Sequence, residues 1–171
     1  RRVHGGAVPA ENVRLVETAV AEREPAFSAQ KARIGQAALA FLPSGDGSTV
    51  LIDSGTTTAR FAAALGGGQE HTIVTNSVPI ASQLAQLQNS PVHLLGGRVR
   101  GLTQATVGGE TVEALGRLHC DVVFLGTNGL TPTHGLSTPD PDEAAVKRAM
   151  VRSARRKVVL ADSSKVGATL L

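Results

Sequence analysis

The chain has 171 residues, 42% of them hydrophobic, which is the size of one globular domain with enough apolar material for a core. Its 17 basic and 14 acidic residues leave a net charge of +3, and its aromatic residues are four Phe, a composition that argues against stacking on single-stranded bases. With one cysteine, Cys120, no internal disulfide can form, and no apolar run reaches the roughly 18 residues of a membrane helix, so the chain reads as a soluble, cytoplasmic protein.

Arg1 to Ala7 carry neither the apolar segment of a signal peptide nor the pattern of a transit peptide. The irregular stretch between Gly5 and Pro25 is the candidate boundary, and residues 25–171 read as one domain. From Pro25 to Leu42, Phe27, Ile34, Ala37, Ala38, Phe41 and Leu42 recur at mostly three- and four-residue spacing, which predicts an amphipathic helix stopped by the Pro43 to Gly47 stretch. Thr49 to Ile52 is a short β-branched and aliphatic run, fit for a strand buried on both faces. Thr56 to Leu65 then predicts a helix ended by Gly66-Gly67-Gly68.

The unit repeats, with a strand at His71–Thr75, a cap at Asn76-Ser77, a helix through Leu87 and a third strand at Val92–Leu95. Helices are predicted over Glu110–Leu118 and Asp142–Arg156, and strands over Asp121–Leu125 and Lys157–Ala161. Strand and helix alternate, which predicts an α/β fold with a mainly parallel sheet.

In such sheets ligands settle beyond the carboxyl ends of the strands, at helix N-termini with free N–H groups. Asp53-Ser54-Gly55-Thr56-Thr57-Thr58 offers a close backbone approach and three hydroxyls at a first helical turn, which suits a phosphate, although a plain helix cap uses the same residues. Thr75-Asn76-Ser77 reads as an N-cap at a neighbouring strand end, Gly96-Gly97-Arg98 as a turn with a guanidinium beside it, and Gly126-Thr127-Asn128-Gly129 as a turn in which Asn128 offers a donor and an acceptor. Glu143 and Lys147, four apart, suit a solvated ion pair, or else place Glu143 at the site mouth. Asp162-Ser163-Ser164-Lys165 is either a surface turn or a second source of positive charge.

The run Arg148, Arg152, Arg155, Arg156, Lys157 reads as the basic end of a helix rather than a DNA patch. The five histidines are scattered without zinc-like spacing, so no metal is expected. Gly-X-Ser-X-Gly, Walker and dinucleotide motifs are absent, which removes support for hydrolase, nucleotidase and dehydrogenase readings. No cofactor is expected.

In order, Arg2-Val3-His4-Gly5-Gly6-Ala7, Asp53 to Thr58, Thr75-Asn76-Ser77, Leu95-Gly96-Gly97, Val107-Gly108-Gly109 and Ala161 to Lys165 resemble the DeoR family of transcriptional regulators over nearly the whole chain. The resemblance implies a Rossmann-like sheet with helices on both faces, like that of ribose-5-phosphate isomerase and glucosamine-6-phosphate deaminase. It implies a sensor of a phosphorylated sugar, commonly oligomeric, that controls operator DNA through a winged helix-turn-helix expected upstream of Arg1, with residues 1–24 as the junction. Family members usually continue by some tens of residues beyond the Asp162–Lys165 motif, so part of the site wall is expected past Leu171.

On this reading the phosphate sits on Ser54 to Thr58, the hydroxyls meet Asn76, Asn128, Glu143 and Asp53, and Arg98, Lys147 and Lys165 supply counter-charge. Where the isomerases show Asp-Gly-Ala-Asp-Glu, this chain has Leu125-Gly126-Thr127-Asn128-Gly129, which removes the carboxylates a proton-shuttling enzyme needs. An isomerase or deaminase of the same fold is the rival reading, and a domain serving solely for oligomerisation is a second.

Overall fold

The computed structural model describes residues 2–3, 6–7, 19–45, 47–66, 70–87 and 90–170. Its elements, in chain order, are β1 (Arg2–Val3), β2 (Gly6–Ala7), α1 (Val20–Arg23), α2 (Ser28–Ala38), β3 (Thr49–Ile52), α3 (Thr56–Ala64), β4 (Thr72–Thr75), α4 (Val78–Leu84) and β5 (Val92–Leu94). There follow β6 (Arg98–Arg100), β7 (Ala105–Val107), α5 (Gly109–Gly116), β8 (Cys120–Gly126), β9 (Gly129–Thr131), β10 (Gly135–Ser137), α6 (Pro141–Ser153) and β11 (Ala154–Leu160).

Five strands form one sheet in the order β11-β8-β3-β4-β5, every neighbouring pair parallel. The chain builds β3, β4 and β5 towards one edge, then crosses back and adds β8 and β11 on the other side. The strand order therefore reverses between β3 and β8, where Leu51 faces Val123 in register. At such a reversal the loops that follow the two strands diverge and leave a crevice.

Alternation along the central strands divides the core in two. Val50, Ile52, Val122 and Phe124 point to the face covered by α2, α3 and α4, where the Phe61 and Phe124 rings stack at 4.0 Å. Leu51, Val123 and Leu125 point to the other face, against Leu115 of α5 and Val146 and Met150 of α6. Both faces of the central strands are buried, as their unbroken apolar runs predict. The α/β expectation holds: the sheet is mainly parallel and Rossmann-like, with helices on both faces.

Several boundaries differ from expectation. Helix α2 begins at Ser28, not Pro25, because Phe27 adopts a left-handed conformation (φ 54°) and turns the chain before the helix starts. Helix α4 ends at Leu84 instead of Leu87. Helix α6 stops at Ser153, whose Oγ donates to the Met150 carbonyl, and Ala154 passes directly into β11. Arg155, Arg156 and Lys157 thus lie exposed on an edge strand rather than at a helix end, and charge on an edge discourages pairing with another sheet. The β6–β7 and β9–β10 hairpins escaped the sequence reading because three-residue strands carry too little alternation to register. Of the sequence expectations, most of the 1–24 junction and the Gly67-Gly68 stop lie outside the described residues.

Candidate ligand-binding site

The loop after β3 and the loop after β8 meet at the reversal of the sheet. Asp53, 1% exposed, accepts a hydrogen bond from the Gly126 N–H at 3.0 Å, which joins the two loops. The Lys147 ammonium of α6 donates to the same Asp53 oxygen and to the Gly126 carbonyl at 3.1 Å. Loop, loop and helix are thereby fastened by one buried ion pair.

Beyond Asp53 the chain enters α3 through Gly55, at φ 152° and ψ 163°, a conformation nearly restricted to glycine. Among the described residues, the N–H groups of Gly55, Thr56, Thr57 and Thr58 donate to no carbonyl or side chain, and no side chain caps this helix. Helices α4 and α6, by contrast, are capped by Ser77 and Asp140. The Ser54, Thr56 and Thr57 hydroxyls are likewise uncommitted, while Thr58 Oγ1 donates to the Gly55 carbonyl at 3.0 Å. Ser54 to Thr57 line a cavity, so aligned donors at the positive end of a helix face open space.

The opposite wall comes from Gly126, Thr127 and Asn128, whose N–H donates to the Ser137 carbonyl at 3.1 Å and whose side-chain amide has no partner among the described residues. Glu143 forms the roof. Its Oε1 accepts from Thr103 Oγ1 at 2.5 Å and Arg100 Nη1 at 3.3 Å, and its Oε2 accepts from Thr138 Oγ1 at 3.4 Å. The expected solvated Glu143–Lys147 pair does not form, because each side chain finds a partner across the site.

Lys165, Arg23 and Lys31 complete the wall. Lys31 is 4% exposed, and its ammonium donates to the carbonyls of Arg23 and Ala26, both at 2.6 Å. Burial lowers the Lys31 pKa from its ordinary 10.5, with nearby Asp162 opposing that shift. At Asp162, burial works to raise the pKa. The Ser164 hydroxyl and N–H, with Lys165 and Lys31 beside them, outweigh it and hold the carboxyl below its usual 3.8. One Asp162 oxygen, Oδ2, is buried without a hydrogen-bond partner. With Asp53–Lys147 and Glu143–Arg100 paired, the remaining charges are Arg23, Lys31 and Lys165 against Asp162, an excess of cation that suits an anion.

Some expected residues lie elsewhere. Asn76 sits behind the loop, accepting from the Ser54 N–H at 3.0 Å and donating to the Thr106 carbonyl at 3.3 Å, so it shapes the loop without lining the cavity. Thr75 donates to the Ile52 carbonyl at 2.7 Å, and Ser77 caps α4. The Gly96 carbonyl accepts from Thr111 Oγ1 of α5, and Gly97 packs against that same Thr111 side chain. Arg98 points outward and pairs with Asp142 at 2.7 Å, and Gly129 opens β9. The sequence reading missed Arg23, Lys31, Thr103 and Thr127. One signal was there: Lys31 falls in the apolar stripe of Phe27, Ile34 and Ala38, where a cation needs a reason to be.

Comparison with known proteins agrees with this architecture. Ribose 5-phosphate isomerase A from Neisseria gonorrhoeae superposes with a TM-score of 0.58 at 19% identity over 82% of this chain and 54% of that one. The eIF2B delta chain from Chaetomium thermophilum gives 0.54 at 18% identity, over 80% of this chain and 47% of that one. At such identities the likeness defines the fold alone. Residues 26–171 match the family model of the DeoR C-terminal sensor domain, and the chain belongs to that family. Among its relatives, the HTH-type transcriptional regulator FruR of Bacillus subtilis is 36% identical over 98% of this chain and 65% of that protein. The HTH-type transcriptional regulator GlpR of Haloferax volcanii is 38% identical, over 97% of this chain and 64% of that protein. The glycerol-3-phosphate regulon repressor of Haemophilus influenzae is 34% identical, over 96% and 63%. The chain thus spans somewhat under two thirds of these regulators.

Proposed function

We propose that this chain is the effector-sensing part of a transcriptional repressor of sugar metabolism, and that its effector is a phosphorylated sugar. The observation that carries the reading is the row of unpaired N–H groups from Gly55 to Thr57, at the wall of a cavity with an excess of positive charge. Hydrogen bonds to a charged oxygen contribute about 1.5–3 kcal/mol each, so three or four support micromolar binding after the cost of association. On this reading Asn128 meets a sugar hydroxyl, and Lys165 and Lys31 meet the phosphate. Residues 25–171 form the sensing unit and 1–24 the junction to a DNA reader like those named in the relatives. In the intact repressor, a homo-oligomer as the family resemblance implies, occupancy shifts operator affinity without covalent chemistry.

An isomerase of the same fold is the second reading, favoured by the structural likeness. Against it, Asp53 is committed to Lys147, the Glu143 carboxylate at the cavity wall is committed to Arg100, and Thr127-Asn128-Gly129 carries no carboxylate, so among the described residues no unpaired carboxylate lines the cavity. Thermal shift against a panel of pentose and hexose mono- and bisphosphates tests the proposal, since ligand at 100 times its Kd adds about 2.7 kcal/mol. A shift abolished in Thr57→Glu supports it; no shift with any compound refutes it. Turnover above buffer in a coupled isomerase assay would establish the rival.

A further inference from the structure

Resting on that ligand reading, we propose that residues 19–27 form a latched wall of the cavity and that Lys31 passes the cavity's occupancy to this segment, and so towards the N-terminal end of the chain. Arg23, Ala26 and Phe27 line the cavity, yet α1 contains no buried residue, so apolar burial does little to hold it. Polar contacts hold it instead. The Val20 N–H donates to the Leu102 carbonyl at 2.9 Å, Arg60 pairs with Glu24 at 2.6 Å, and the Lys31 ammonium holds the Arg23 and Ala26 carbonyls.

One of these fastenings ends on the cavity wall itself and another ends next to it. Lys31 lines the cavity, and Leu102 precedes Thr103, which lines it and donates to Glu143. An ammonium has three protons, and here two are given to neutral carbonyls. An anion entering the cavity is a charged acceptor, and it attracts the ammonium as charge attracts charge, more strongly than the carbonyl dipoles that now hold it. It draws the ammonium away from the Arg23 and Ala26 carbonyls, while the Arg23 guanidinium, which also lines the cavity, opposes the release. The segment then has no buried apolar side chain on α1 to keep it in place, and Phe27, in a left-handed conformation that an aromatic side chain rarely adopts, is the point at which it swings. The ligand thus favours the released arrangement through contacts that differ between the two states.

Hydrogen–deuterium exchange of the whole chain tests this, read at the amides of Val20, Glu22, Arg23 and Glu24, with saturating glycerol 3-phosphate and inorganic phosphate as probes and calorimetry to record binding. Ligand is expected to speed exchange in 19–27 by about tenfold, within the usual range of coupling. Lys31→Met without ligand is expected to show the same acceleration while β3 and β8 amides stay protected. Val20→Pro is the second variant. It removes the bond to Leu102 at a first helical position where proline fits, after an extended Ala19 (φ −57°, ψ 150°), and it too is expected to speed exchange in the segment. Binding with unchanged exchange in 19–27 overturns the coupling and leaves the site reading intact. Protection of the segment surviving in Lys31→Met, or in Val20→Pro should the former not fold, overturns the latch. Absence of binding by either probe, and by the sugar phosphates of the panel, removes the site reading and the coupling together.

Discussion

The Lys147 ammonium reaches across the reversal of the sheet to Asp53, 94 positions away in sequence, rather than to Glu143 one turn back on its own helix. That choice leaves Glu143 to Thr103, Arg100 and Thr138, and it ties the loops after β3 and β8 to α6.

Lys147→Met strands the Asp53 carboxylate, 1% exposed, with the Gly126 N–H as its remaining partner. Removing one member of a buried pair costs about 3–5 kcal/mol, and the partial exposure of Lys147 places the expected loss near the lower end. Asp53→Asn added to Lys147→Met is expected to restore at least half of it. Urea unfolding of the four proteins measures both effects, and additive losses would show that the pair is not a unit.

Gly55→Ala is expected to destabilise the chain by about 1–3 kcal/mol, since φ 152° with ψ 163° suits glycine almost alone. It is also expected to abolish any sugar-phosphate-dependent shift in melting temperature, because relaxing that strain re-aims the N–H groups of the loop. A variant that melts lower yet keeps the ligand shift would separate loop geometry from binding.

Gly35→Ala tests how α2 is held. A Cβ there would lie 2.6 Å from the Arg60 carbonyl carbon and 2.7 Å from the Phe61 nitrogen, and backbone cannot rotate away as a side chain can. The two helices must separate, at about 1–3 kcal/mol by the usual cost of overpacking. Lys31, on the same helix, moves with them, so the variant is expected to lose protection at 19–27 as well as stability. Unchanged melting would mean that α2 and α3 pack less tightly than described.

The lowered pKa of Asp162 has a definite sign. A carboxyl whose folded-state pKa lies below its unfolded value of 3.8 stabilises fully above 3.8, and that contribution fades as pH falls from 3.8 through the folded value. Asp162→Asn is therefore expected to flatten the acid limb of stability below pH 3.8 relative to the unmutated chain, while both keep their shape between pH 5 and 7. Parallel acid limbs in the two proteins would assign the loss to other carboxylates.

Thr49–Ile52 announces a strand buried on both faces and Asp121–Leu125 a further apolar strand, and the helices between them announce a parallel sheet; those patterns are local, and they put Asp53 to Thr58 and Gly126 to Gly129 at strand ends. Local pattern carries no information about direction across the sheet. Arg98 and Lys31 look alike as isolated cations, yet one turns outward to Asp142 and the other is buried at the cavity wall, because the packing of α2 on α3 and the turn at Phe27 fix where each ammonium or guanidinium can reach. Asn76 likewise reads as a cap and a candidate ligand, and becomes the support of the Ser54 loop once β3 and β4 lie side by side. Elements follow from the short-range periodicity of apolar residues, whereas the site depends on which polar groups, tens of residues apart, the assembled sheet brings within hydrogen-bond reach.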